Sequence, residues 1–106
     1  MDKFDDIFKR QLELQQYLEQ DIHSQDYFNL CTLALEDELH ESLRCTKWKK
    51  WKKNQVYNRE ELVKEMADAL HFFVNMCLFA DITADELYEA YCGKREINKE
   101  RKDSGY

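Results

Sequence analysis

The chain has 106 residues, no proline, only two glycines, and a formal net charge of −6 with 36% of its residues charged. That length allows one domain with one modest core and excludes a second, and so little turn chemistry argues against a strand-rich fold and for long helices. No apolar run reaches the roughly 18 residues of a membrane span, and the acidic opening MDKFDDIFKR does not read as a signal peptide, so a cytosolic protein is expected. Cys31, Cys45, Cys77 and Cys92 contain no Cys-x-x-Cys pair, which indicates neither a zinc ribbon nor a disulfide framework.

The first segment, Phe4 to about His23, carries Phe4, Ile7, Phe8, Leu14, Leu18 and Ile22 at helical spacing. Its polar face is rich in glutamine. Ser24 reads as the cap of a second helix running to about Cys45. The stretch TKWKKWKKNQVY then breaks the apolar pattern and reads as a loop. Asn58 with Glu61 three residues on marks a third helix, to about Ala80, and Thr83-x-x-Glu86 is a capping box for a fourth, which reaches Gly93 or a little beyond. The sum is an all-α, four-to-five-helix bundle filling residues 1–106 as one domain. MADALHFFVNMCLFA, residues 66–80, is apolar on nearly every side, more than the other helices can cover. A homodimer or higher homo-oligomer is therefore expected, with sites open to completion by the neighbour.

Two carboxylate couples stand out, Glu38-x-x-Glu41 and Glu65-x-x-Asp68. At about 100° per residue, Glu38 and Glu41 fall in the arc of Cys31, Ala34 and Leu35, whereas Glu36, Asp37, His40 and Arg44 fall on the opposite side. Asp68, His71 and Asn75 are the polar members of the apolar third helix. A carboxylate on an apolar face costs several kcal/mol unless a cation or donor meets it, so four convergent acids make a site for Mg²⁺, a cation that prefers hard oxygen ligands. In a chain so rich in charge one such couple is expected by chance; two on apolar faces are not. Basic clusters flank the acids, Arg44 to Lys53 and Lys94 to Lys102. An acidic centre between basic flanks suits a polyphosphate carried on a metal.

The spacing Glu38-x-x-Glu41, 23 residues, Glu65-x-x-Asp68 resembles the all-α nucleoside triphosphate pyrophosphohydrolases, the MazG-like superfamily. LQQYL at residues 14–18, KWKKW after the first couple and ADALHF around the second are similar to its dimeric dUTPase branch. The final stretch also looks like that branch's phosphate-binding tail, 93–106. The whole resembles a minimal form, of the kind a phage encodes. Where the branch commonly has an asparagine after its QQ-x-L, this chain has Glu19.

The resemblance implies Mg²⁺-dependent hydrolysis of a nucleoside triphosphate, dUTP first, to a monophosphate and pyrophosphate. A broader or dCTP-directed pyrophosphatase is the alternative. It assigns Glu38, Glu41, Glu65 and Asp68 to the metal and Lys94, Asn98, Arg101 and Tyr106 to phosphates. Among the acids Glu41 is taken as general base beside Glu38, although spacing does not separate ligand from base. Asn75 reads as a contact to a base edge or sugar hydroxyl, or as a core amide. His71 reads more readily as a core histidine than as a ligand. Gln16 faces either the base or solvent. Trp48, with Lys49 and Lys52 beside it, stacks on a nucleotide or anchors the loop. Lysines interleaved with Trp48 and Trp51 also suit single-stranded nucleic acid, which the net negative charge opposes. A catalytically inactive regulator is a further reading.

Overall fold

A computed structural model describes residues 2–105. They form four helices: α1 Lys3–Tyr17, α2 Gln25–Arg44, α3 Arg59–Phe79 and α4 Ala84–Asp103. Each start is written locally in the sequence. Asp2, Ser24, Asn58 and Thr83 accept, through their side chains, the backbone N–H of Asp5, Tyr27, Glu61 and Glu86 respectively, satisfying donors that the first helical turn leaves unpaired.

The helix ends are less legible. α1 stops at Tyr17, six residues before the expected limit of His23, because Glu19 adopts φ 56° and Gln20 N–H turns back to Gln15 C=O at 3.0 Å. Asp81, at φ 55°, follows the end of α3 in the same left-handed conformation. Glycine is the usual residue for such a reversal; here two acids take the position, and Asp81 Oδ1 meets His23 Nε2 at 2.8 Å. α4 runs on through Gly93 to Asp103.

α2 and α3 form the main antiparallel pair. Contacts across it run in opposite directions along the chain: Phe28 against Phe79, Thr32 Oγ1 with Met76 Sδ, and Asn58 N–H donating to Cys45 C=O at 2.8 Å. The loop 46–57 is fastened by one side chain. Gln55 Nε2 donates to the carbonyls of Lys49 (2.6 Å) and Lys52 (2.8 Å), and its Oε1 accepts from Lys49 N–H.

α1 crosses α3, and together with the first turns of α4 they enclose a core of Phe8, Val74, Cys77, Leu78 and Ala84, lined by Ile7, Leu12, Ile22, Ile82 and Leu87. That core is small. Val74 is its only large side chain shut off completely, and Val63, Met66, Leu70 and Phe73 leave an apolar stripe of α3 half-exposed. The radius of gyration is 17.1 Å, against about 13 Å for a compact chain near 100 residues. Past those first turns α4 runs on at 102° to α3. No single helix is long and apolar enough to cross a membrane.

Candidate metal centre and nucleotide pocket

The α2–α3 pairing brings three of the four expected acids together. Glu38 from α2 and Glu65 and Asp68 from α3 each offer a carboxylate oxygen within 4.8 Å of the others. Glu38 Oε2 is wholly buried without a hydrogen-bond donor. Contact with Glu38, then partial burial, then Glu61 one turn before, push the Glu65 carboxyl up to about 7. Among the described residues no ion pair meets these three acids, and an orphaned buried oxygen is where a bound cation removes the cost. The donor set is all hard oxygen, which fits Mg²⁺.

Glu41 lies outside this trio. It is only partly exposed, and its Oε1 accepts from Arg44 Nη1 at 2.8 Å, an ion pair one turn along α2. Glu61, read from sequence only as the partner of a helix cap, lies close enough to Glu65 to raise its carboxyl further. The sign of this was present, since Glu61 and Glu65 are four residues apart on one helix face. Cys45 completes the neighbourhood. Burial pushes its thiol up, and the charges of Glu65, Glu61 and Glu41 add to that.

Beside the trio lies a pocket of about 690 Å³ that Asp68 shares, lined also by Gln11, Gln15, Tyr27, Cys31, His71 and Asn75. Its floor is a buried polar network. Gln11 Nε2 donates to Asn75 Oδ1 at 2.7 Å, and Tyr27 Oη donates to Gln15 Oε1 at 3.1 Å. Burial pushes the Cys31 thiol up while hydrogen bonding to Tyr27 and Asn75 opposes that. The network leaves the Gln15 amino group as donor and Gln11 Oε1 as acceptor for a ligand. Its volume falls within the ordinary range for a small-molecule site.

The dUTPase family profile (dUTPase_2) matches residues 3–81, the span that contains the acids and the whole pocket. The chain belongs to this dUTPase family. It is also 32% identical over 71 residues to the dCTP pyrophosphatase of Enterobacteria phage T4, covering 56% of this chain and 42% of that protein. The chain thus spans less than half the length of the curated relative it matches. No solved structure matches it significantly.

The remaining expected residues of this dUTPase-family chain divide between the site and the surface. His71 and Asn75 line the pocket, Asn75 buried and His71 exposed. Gln16 does not. It lies on the exposed side of α1, because the buried stripe runs Phe8, Gln11, Gln15 and places Gln15 rather than its neighbour over the pocket. The three-and-four spacing that gave the apolar stripe would have found both glutamines. Trp48, Lys49 and Lys52 line a separate depression of about 320 Å³ with Arg44 and Gln55, Trp48 edge-on to Trp51 and Lys49 Nζ 5.7 Å from the Trp48 ring. Lys94, Asn98 and Arg101 lie on the exposed far half of α4. Tyr106 lies outside the described residues.

Proposed function

We propose that this chain hydrolyses a pyrimidine deoxynucleoside triphosphate, dUTP first, to the monophosphate and pyrophosphate, with Mg²⁺ held by Glu38, Glu65 and Asp68. The observation that carries this is the junction of an uncompensated acidic centre, with its orphaned Glu38 oxygen, and an amide-lined pocket through the shared Asp68. Bound there, Mg²⁺ supplies charge neutralisation on phosphate oxygens and a more acidic water.

The protein's own groups do the rest. Gln15 and Gln11 offer a donor and an acceptor to the base edge, and Tyr27 and Asn75 hold those two amides in place. Leu14, Leu18, Leu30 and Phe72 give the base apolar contact surface. Glu41, not tied up with the other three carboxylates, is the proton acceptor for the attacking water. Lys94 and Arg101 offset phosphate charge, the arginine through paired N–H donors, and Asn98 donates a hydrogen bond to a phosphate oxygen.

A dCTP-directed enzyme is the second reading, favoured by the identity to a protein named dCTP pyrophosphatase. One donor and one acceptor are met by an edge of either uracil or cytosine, so the pocket accommodates both readings. Phosphorus NMR of the protein with Mg²⁺ and each deoxynucleoside triphosphate in turn separates them. Monophosphate plus pyrophosphate from dUTP alone supports the first reading, from dCTP alone the second, and from several bases a broader role. No product from any of them sinks the proposal.

A further inference from the structure

The pocket floor is polar at positions where packed helices otherwise bury apolar side chains. Gln11 and Gln15 on α1, Tyr27 and Cys31 on α2 and Asn75 on α3 are each at most 7% exposed. The two glutamines share the buried stripe of α1 with Phe8. Buried amides and hydroxyls cost stability unless each finds a partner, and here the partners are one another.

Those partners decide which atom each glutamine turns toward the pocket. An amide rotated by half a turn about its last bond keeps its shape and exchanges an amino donor for a carbonyl acceptor. Tyr27 Oη donates to Gln15 Oε1 at 3.1 Å, so the Gln15 amino group points away from Tyr27. Gln11 Nε2 donates to Asn75 Oδ1 at 2.7 Å, which leaves Gln11 Oε1 as the outward atom. A phenol accepts as readily as it donates, so Tyr27 alone would hold Gln15 either way round. Cys31 removes that freedom. It lies one turn after Tyr27 on α2, with its thiol against both Tyr27 and Asn75.

We propose that these five residues form a one-way hydrogen-bond relay, Gln11 to Asn75 to Cys31 to Tyr27 to Gln15, in which Tyr27 and Cys31 are positioning residues that set the base preference. The Asn75 amino group donates to Cys31 Sγ, and the Cys31 S–H donates to Tyr27 Oη, which commits the phenol proton to Gln15. Turning over either glutamine alone sets donor against donor or acceptor against acceptor, so both keep their facing together. The relay presents a donor at Gln15 and an acceptor at Gln11. Positions 3 and 4 of uracil carry N–H and C=O, whereas those of cytosine carry N and NH₂, the same two functions in reverse. In one pose of the base, an amide pair held one way round accepts one of these pyrimidines and opposes the other; a pair free to turn accepts both. This rests on the nucleotide reading above and places its base preference one layer behind the groups that touch the base.

Steady-state kinetics with dUTP and dCTP in Mg²⁺ test the relay. Wild type should favour one of the two by roughly tenfold or more in kcat/KM. Tyr27→Phe, which removes only the hydroxyl, should lower that ratio by roughly tenfold, and the loss for the preferred base should appear in KM more than in kcat. Cys31→Ala should lower the ratio in the same direction, and Cys31→Ser, which keeps one donor and one acceptor at that position, should retain it. If both substrates fall together with the ratio unmoved, the residues are merely structural and the relay is overturned. A wild type that takes both bases equally also overturns it, and either result leaves the nucleotide reading standing. Should Tyr27→Phe fail to fold, the two Cys31 variants carry the same comparison. If wild type hydrolyses neither nucleotide, the nucleotide reading fails and equilibrium binding of dUMP and dCMP decides: a preference that Tyr27→Phe erases supports the relay, and equal binding or none refutes it.

Discussion

The α2–α3 pair and the far half of α4 are both rich in charge, yet one gathers its charges and the other spreads them. Glu38, Glu65 and Asp68 sit within 4.8 Å of one another, although like charges repel and partial burial adds to the cost. Packing between two long helices supplies the energy that holds them there. Lys94, Asn98 and Arg101 lie exposed along the far half of α4. The lesson is that packing between two helices can gather like charges into a centre, whereas charges along an exposed helix half stay dispersed in solvent.

The largest expected effect breaks the assembled half. Glu65→Gln or Glu38→Gln should lower turnover on the order of 10³-fold and abolish the rise in melting temperature on adding Mg²⁺. An unchanged Mg²⁺ response would show that these acids do not hold the ion. Glu41→Gln is the sharper companion. As proton acceptor it should cost on the order of 10²-fold or more in turnover while the Mg²⁺-dependent rise in melting temperature persists. Loss of both would return Glu41 to the ligand set.

Next comes the spread half. Lys94→Ala or Arg101→Ala should raise KM by roughly tenfold or more, the value of one charge-assisted hydrogen bond, with melting temperature unmoved. A drop in melting temperature without a change in KM would make these residues structural.

The pH dependence connects the two. Glu65 has its carboxyl raised from its ordinary 4.5 to about 7, so in that interval the metal-free folded state binds more protons than the unfolded state. Stability without metal should therefore fall as pH rises from about 4.5 to about 7 and then level off. Mg²⁺ must displace that proton below pH 7. The thermal shift on adding Mg²⁺ should be larger at pH 8 than at pH 5.5, and an equal shift at both would mean that Glu65 is not a ligand.

The smallest effect lies in the pocket floor. Asn75→Ala strands Gln11 Nε2 and should cost about 1–3 kcal/mol of stability, whereas Tyr27→Phe should cost about 1 kcal/mol and loosen Gln15. Denaturant midpoints measure both, and a neutral Asn75→Ala would mean that water replaces the amide.

Much of this protein was determined by local sequence alone. The absence of proline, the near absence of glycine and the caps at Ser24, Asn58 and Thr83 pointed to an all-α chain and to the starts of α2, α3 and α4, because a cap is an interaction within one turn; the Asp2 cap of α1 emerged only in the structure. Acids on apolar helix faces marked the centre, since burial is read from periodicity. Tertiary structure decided the rest. Which three of the acids converge was decided by how α2 packs on α3, which brings Glu38 to Glu65 and Asp68 and leaves Glu41 paired with Arg44. Gln15 rather than Gln16 reached the pocket because the register of α1 against α3 is set by packing, and a shift of one residue turns a side chain by about 100°. The departure of α4 at 102° was not legible, because it hangs on the left-handed Asp81 and on how few apolar residues tie α4 to the core. Helices are local objects, whereas sites are made of the distances between them.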